Sequence, residues 1–314
     1  MILHDEARAV ITLIEEWYRS QSAPPRKDQT INQARVLMKR LAPLRWSGQA
    51  KIMASVNDVM LEARSGLHRA RVYRPEKEFQ PFTLIYVHGG GYVVGGIDEF
   101  DPECRRFASS LGCNVVALSY RLAPEHPWPA AVDDVEDVLL QVSRQAIPNL
   151  KGPIVLAGAS AGAGIAVAVC KRLVKKSTCP VGLLVLLSPW LDMTLTQPST
   201  QLYATGHQLD LEMLTGFCKQ YIPATITKNH PELSPARNPI PNPWPETVLF
   251  AAECDPLADD TALFARRLCE ANVPHHIRYA RGMPHGCHGW WDHIPALNSD
   301  IEWLDKTIIQ HAVS

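Results

Sequence analysis

Apolar residues recur at helical spacing from the start of the chain. Leu3, Ala7, Val10, Ile11, Ile14, Trp17 and Tyr18 share one face, which predicts an amphipathic helix. Ile31, Arg35, Met38 and Leu41 continue the period in a second helix that ends at Pro43. From about residue 50 the period changes. The runs FTLIYV (82–87), NVVALSY (114–120), PIVLAG (153–158), VGLLVLL (181–187), TVLFAA (247–252) and HHIRYA (275–280) are short, rich in aliphatic and β-branched residues, and bounded by Gly, Pro or Asn. Near-continuous apolar strands imply burial on both faces, as in a parallel sheet. Helical patterns at 101–111, 130–146, 161–176, 257–271 and 295–311 alternate with them, the signature of an α/β fold. Residues 51–63 and 67–74 read as an antiparallel hairpin at the sheet edge. Between Pro189 and Trp244 the alternation lapses into a helical stretch (209–221) and the proline-rich run NPIPNPWP. Ligands bind at the carboxyl ends of strands in such sheets, so this insertion is expected to lie over the site as a lid.

Composition narrows the function without naming it. The formal net charge is −1, which gives no footing for nucleic acid or a basic membrane anchor. Eight cysteines without a CxxC pair read as reduced thiols. The first ten residues, MILHDEARAV, carry acid where a signal peptide carries positive charge, and the longest apolar run is too short to span a bilayer. The expectation is a cytoplasmic protein.

Gly158-Ala159-Ser160-Ala161-Gly162 directly follows the strand PIVLAG and opens a helix, the setting a nucleophile elbow requires. His88-Gly89-Gly90-Gly91 follows another strand. Composition alone would produce that tetrapeptide about 0.002 times in a chain of this kind, so it is read as signal. Its backbone N–H groups, with that of Ala161, are suited to hold an oxyanion. A serine needs a base, and the base an orienting carboxylate. Asp255 and His285 each follow a strand, and the chain order Ser160, Asp255, His285 is that of α/β-hydrolases.

A histidine-rich tail (His275, His276, His285, Cys287, His288, Asp292 and His293) offers a rival reading as a zinc or copper site. It lacks HExxH and paired cysteines, and the triad already claims His285, so no metal or organic cofactor is expected.

The motifs HGGG (88–91), YRLAPEHPWPAAVDD (120–134), GASAG (158–162), LSPWLD (187–192), DPL (255–257) and GMPHG (282–286) occur in the order and spacing of one family. The chain resembles the hormone-sensitive-lipase family of α/β-hydrolases, the bacterial family IV carboxylesterases, over roughly residues 50–314. The resemblance implies an α/β-hydrolase core (46–190 and 231–314) under a helical cap (1–45 and 191–230). It implies Ser160 as nucleophile, His285 as base, Asp255 as its partner, and Gly90, Gly91 and Ala161 as the oxyanion hole, with Gly89 a weaker candidate. The implied activity is hydrolysis of short- to medium-chain acyl esters. An amidase or lactonase with the same triad, and a non-catalytic ligand-binding homologue, stay open. Tyr92, Trp190, Leu209 and Phe217, with Trp17, are the candidate residues around the substrate, and a homodimer is possible. Two positions depart from the family: Ala159 stands where Asp is usual, and Cys287 stands where Phe is usual, which suggests a wider site near His285. On these roles Ser160→Ala is expected to damage activity far more than Gly90→Ala, unless alanine there also disrupts the fold.

Overall fold

The computed structural model describes residues 2–45, 50–77 and 80–312. Among them eight strands form one sheet in the order β1-β2-β4-β3-β5-β6-β7-β8. β1 (Ser55–Ala63) and β2 (Gly66–Arg74) form the expected hairpin, and β2 runs antiparallel to β4 (Asn114–Leu118). β3 (Thr83–Val87), β5 (Ile154–Ala159), β6 (Val181–Leu187), β7 (Glu246–Cys254) and β8 (His275–Pro284) continue the sheet in parallel. Every residue of β3, β4 and β5 is buried, because helices cover both faces.

The two faces carry two apolar cores. One packs under α4 (Ala130–Ser143), α5 (Ala161–Lys175) and α8 (Ala258–Glu270). The other packs under α1 (Asp5–Ser20), α3 (Asp101–Leu111) and α9 (Asn298–His311). α1 buries Ala7, Val10, Ile11 and Ile14, the stripe its periodicity predicts. α2 (Ile31–Leu41) starts on a reciprocal cap: Thr30 accepts from the Gln33 amide and the Gln33 side chain returns the bond. α3 stops at Gly112, whose φ of 63° is the left-handed end a helix commonly needs.

The interval between β6 and β7 contains no strand among the described residues. It holds α6 (Pro198–Leu202), a short helix the periodicity misses, and α7 (Leu211–Tyr221). α7 joins α1 and α2 over the carboxyl ends of the strands, and the three helices wall a shared cavity there. Arg35 of α2 ties this layer to the sheet. Its guanidinium donates to the Val93 and Ala123 carbonyls at 2.9 Å each and to both Glu125 carboxylate oxygens at 2.7–2.8 Å.

Candidate active site

Ser160 links β5 to α5 with φ 52° and ψ −117°, a conformation L-residues rarely adopt. The surroundings hold it there. Its N–H donates to the Leu187 carbonyl at 2.9 Å, and its own carbonyl accepts from the Ala163 and Trp190 amides at 3.0 and 3.1 Å. The turn is tight because the flanking residues are small. A Cβ on Gly158 would lie 2.5 Å from the Gly162 carbonyl oxygen, and one on Gly162 2.2 Å from that of Val87.

His285 follows β8 and Asp255 follows β7, so neighbouring strands deliver both side chains to the same end of the sheet. His285 Nε2 lies 2.9 Å from Ser160 Oγ, and His285 Nδ1 lies 2.8 Å from Asp255 Oδ2. A carboxylate only accepts, so Nδ1 carries the proton and Nε2 is free to accept from the serine hydroxyl. Asp255 is 1% exposed and its second oxygen accepts from the Leu257 amide at 2.8 Å, which fixes the carboxylate plane.

Gly89, Gly90 and Gly91 form the cavity wall beside Ser160. Gly90 has φ 117° and Gly91 φ 60°, and the Gly90 carbonyl is taken up within the loop by the Val93 and Val94 amides at 3.1 and 3.0 Å. Ala161 is the first residue of α5, where an N–H has no partner in a preceding turn. Ala161 is fully buried in the core beneath α5 and is not among the residues lining the cavity.

His88 carries a role that the motif reading left unassigned. Its Nδ1 donates to the Gly89 carbonyl at 2.7 Å, and its ring stacks on Tyr120 at 4.2 Å and Phe100 at 5.5 Å. Tyr120 donates to the His88 carbonyl at 2.8 Å. Burial lowers the His88 imidazole to about 4, so it braces the glycine loop as a neutral ring. No local spacing announces this contact with Tyr120, which is 32 residues away.

The cavity in front of Ser160 has a volume of about 380 Å³. Trp190, Leu209 and Phe217 line it. Tyr92 does not. It is 3% exposed and stacks flat on Tyr221 at 3.8 Å beneath the glycine loop, because its φ of 66° turns the ring into the core. Trp17 also misses the wall; its neighbour Tyr18 is there instead, one position round the helix. Cys287 is fully buried in the core under α9, away from the wall, so it does not widen the site, and burial pushes its thiol up. Ala159 is on the wall and 2% exposed.

The histidine-rich tail does not gather as a metal set. His285 faces Ser160, His275 bonds the Val273 carbonyl, and His276 faces Glu246. On the pocket wall, Glu103 accepts from Tyr86 and, at 3.2 Å, from Arg45, and this pair joins α3 to the segment after α2. His288 is buried there with Nδ1 unpartnered, and burial lowers it to about 4.

The family described as the alpha/beta hydrolase fold matches residues 84–289, which hold Gly89–Gly91, Ser160, Asp255 and His285. The chain belongs to the α/β-hydrolase family, in its hormone-sensitive-lipase branch. This hydrolase is 29% identical to an ethyl acetate hydrolase of Pseudomonas putida, over 98% of its own chain and 97% of the relative. It is 31% identical to esterase LipI of Mycobacterium tuberculosis over 77% of each chain. A solved esterase of Pyrobaculum calidifontis superposes with a TM-score of 0.88 at 27% identity, covering 99% of this hydrolase and all of that chain. This hydrolase is a carboxylic ester hydrolase of the serine type. Among the described residues no helix is long and apolar enough to cross a membrane.

Proposed function

We propose that this esterase cleaves short- to medium-chain acyl esters through an acyl-enzyme on Ser160. The observation that carries the reading is the continuous chain Asp255–His285–Ser160, with contacts of 2.8 and 2.9 Å, opening into a cavity walled by apolar and polar side chains. His285 takes the Ser160 proton as Oγ attacks the ester carbonyl. The N–H groups of Gly90, Gly91 and Ala161 receive the developing oxyanion. The imidazolium, held by Asp255, returns the proton to the leaving alkoxide, and the alcohol departs. Water then attacks the acyl carbonyl, His285 now acting on the water, and the acid leaves.

The pocket supports the substrate range. A volume of about 380 Å³ is near the low end of ligand sites, which run from about 300 to 1,000 Å³. Met38, Leu41, Trp190, Leu209 and Phe217 supply the apolar part of its wall, beside charged residues such as Arg45 and Glu103. We assign residues 1–45 and 191–230 to a cap and 46–190 and 231–314 to the catalytic core; this division rests on α1, α2 and α7 sharing the cavity wall. Eight free cysteines fit a reducing, cytoplasmic setting. A p-nitrophenyl ester series from acetate to laurate tests the range. The expected kcat/KM peaks at the short to middle lengths and falls by laurate. A profile that rises to laurate would overturn the assignment of this cavity as the acyl site.

A further inference from the structure

A second cluster of chemistry-bearing side chains lies at the opposite ends of the two strands that deliver the triad partners. Glu246 opens β7, His276 is the second residue of β8, and His311 closes α9. β7 spans nine residues at about 3.3 Å each, which puts the cluster about 30 Å from Asp255.

All three side chains sit on the sides of their elements that face one another, and Glu246 and His311 end apolar stripes there. Along β7 the face turned to α9 reads Glu246, Val248, Phe250 and Ala252, and the last three belong to the core under that helix. Along β8 the same face reads His276, Arg278 and Ala280, with Ala280 in that core. The register sets His276 opposite Val248, so Glu246 is its diagonal neighbour on the same face. On α9 the buried stripe runs Ile301, Leu304 and Ile308, and His311 is one turn further on. Three polar residues thus sit where the β7 and α9 stripes end and where the β8 face, already polar at Arg278, begins, and they meet one another. Departures from pattern that converge in space mark functional sites.

The meeting is close. Glu246 Oε1 lies 2.8 Å from His276 Nε2 and 2.9 Å from His311 Nδ1. The two rings face each other with centroids 4.0 Å apart. One donor atom from each residue falls within 4.8 Å of the others. Two imidazoles and one carboxylate are a familiar donor set for zinc, which binds nitrogen and oxygen at about 2.0–2.2 Å and separates tetrahedral donors by about 3.3 Å. Opening the two Glu246 contacts by about 0.5 Å reaches that spacing. The side chains are 18–33% exposed, which leaves an open side for water as a fourth ligand.

We propose that Glu246, His276 and His311 bind a divalent transition cation of the zinc class. The ion would pin the end of α9 to the amino ends of β7 and β8, and β8 is the edge strand of the sheet. At about 30 Å from Asp255 it takes no part in ester cleavage; its effect is on stability.

The full-length chain, stripped with chelator and checked by circular dichroism, is titrated with zinc chloride in a calorimeter and with cobalt(II) in the visible. The expected result is one site per chain, cobalt bands of low-coordinate geometry, and a Tm raised by about 4 °C at a hundredfold excess over Kd. His276→Gln, His311→Ala and Glu246→Gln should each weaken binding by at least about tenfold, with ester turnover at 25 °C unchanged. Absence of binding in the wild type overturns the proposal. So does binding that all three variants retain, since it would place the ion on other side chains such as His275 and Cys269, whose atoms lie 3.6 Å apart.

Discussion

Replacing Gly91 by alanine probes how the glycine loop and α7 share space above Ser160. The added Cβ would lie 2.3, 2.5 and 2.6 Å from Cδ2, Cγ and Cε2 of Phe217. Carbon atoms normally rest about 3.5–4.0 Å apart, so loop or ring must move by an ångström or more. A second cost is conformational. Gly91 has φ 60°, and the left-handed region costs alanine about 1–2 kcal/mol. Displacing the loop by about 1 Å misaims its N–H groups, and a misplacement of that size costs about 10²-fold in rate, or about 2.7 kcal/mol. Phe217→Ala alone removes cavity wall and should cost about tenfold in kcat/KM. If the two effects were independent, the double variant would lose about 10³-fold. The steric argument demands otherwise. With the ring gone the loop returns to its place, and the double variant should recover to within about thirtyfold of wild type. The coupling is then about 2 kcal/mol, well above the scatter of independent sites. The assay is kcat/KM on p-nitrophenyl butyrate for all four proteins, with melting curves to check folding. A double variant at the product of the single losses would refute the clash and leave backbone strain as the cause.

Gly90→Ala should behave differently, because its Cβ would lie 2.0 Å from the backbone carbonyl oxygen of Val94, which no side-chain truncation can relieve. It is expected to lose turnover and also several degrees of Tm, the case in which alanine at this position disrupts the fold as well; an unchanged Tm would contradict this. Asp255→Asn should leave the fold intact and lower kcat by about 10⁴-fold, since an amide in place of the carboxylate favours the wrong His285 tautomer; a loss under tenfold would count against the orienting role. The buried imidazoles of His88 and His288, lowered to about 4, make stability acid-sensitive. Between pH 6.5 and 4 the unfolded chain takes up protons at these positions and the folded chain does not. Stability therefore falls as the pH is lowered through this window, by up to about 1.4 kcal/mol per unit for each histidine. His288→Phe should remove about half of that slope in urea titrations across this range, and an unaltered slope would show that other groups set it.

Much of the architecture is legible in the sequence because strong periods and turn residues coincide. β6 and α3 fall at the predicted residues, since VGLLVLL is bounded by Pro180 and Ser188, and α3 ends on Gly112. β7 and β8 run longer than their apolar runs, because β7 begins at Glu246, paired with Leu183 of β6, and β8 continues past a register shift to Pro284, paired with Cys254. α6 escapes notice because five residues are too few to show a period. The triad is legible because each member follows a strand in a parallel sheet, so topology sends all three to one end. Pocket walls are less so. Whether Tyr92 or Trp17 faces the cavity depends on a positive φ and on helix rotation, neither of which spacing reveals. Long-range contacts such as Arg35 with Glu125, or Glu246 with His311, link residues that no local pattern joins.

The central claim is that Ser160 is the nucleophile, activated through His285. The most direct measurement compares purified wild type and Ser160→Ala on p-nitrophenyl butyrate, alongside intact-mass analysis after a fluorophosphonate probe. The account predicts turnover and one covalent adduct on Ser160 in the wild type. The variant should keep its fold and Tm, take no adduct, and lose at least about 10⁴-fold in kcat. Equal turnover by the two proteins, or an adduct that persists in the variant, would contradict it.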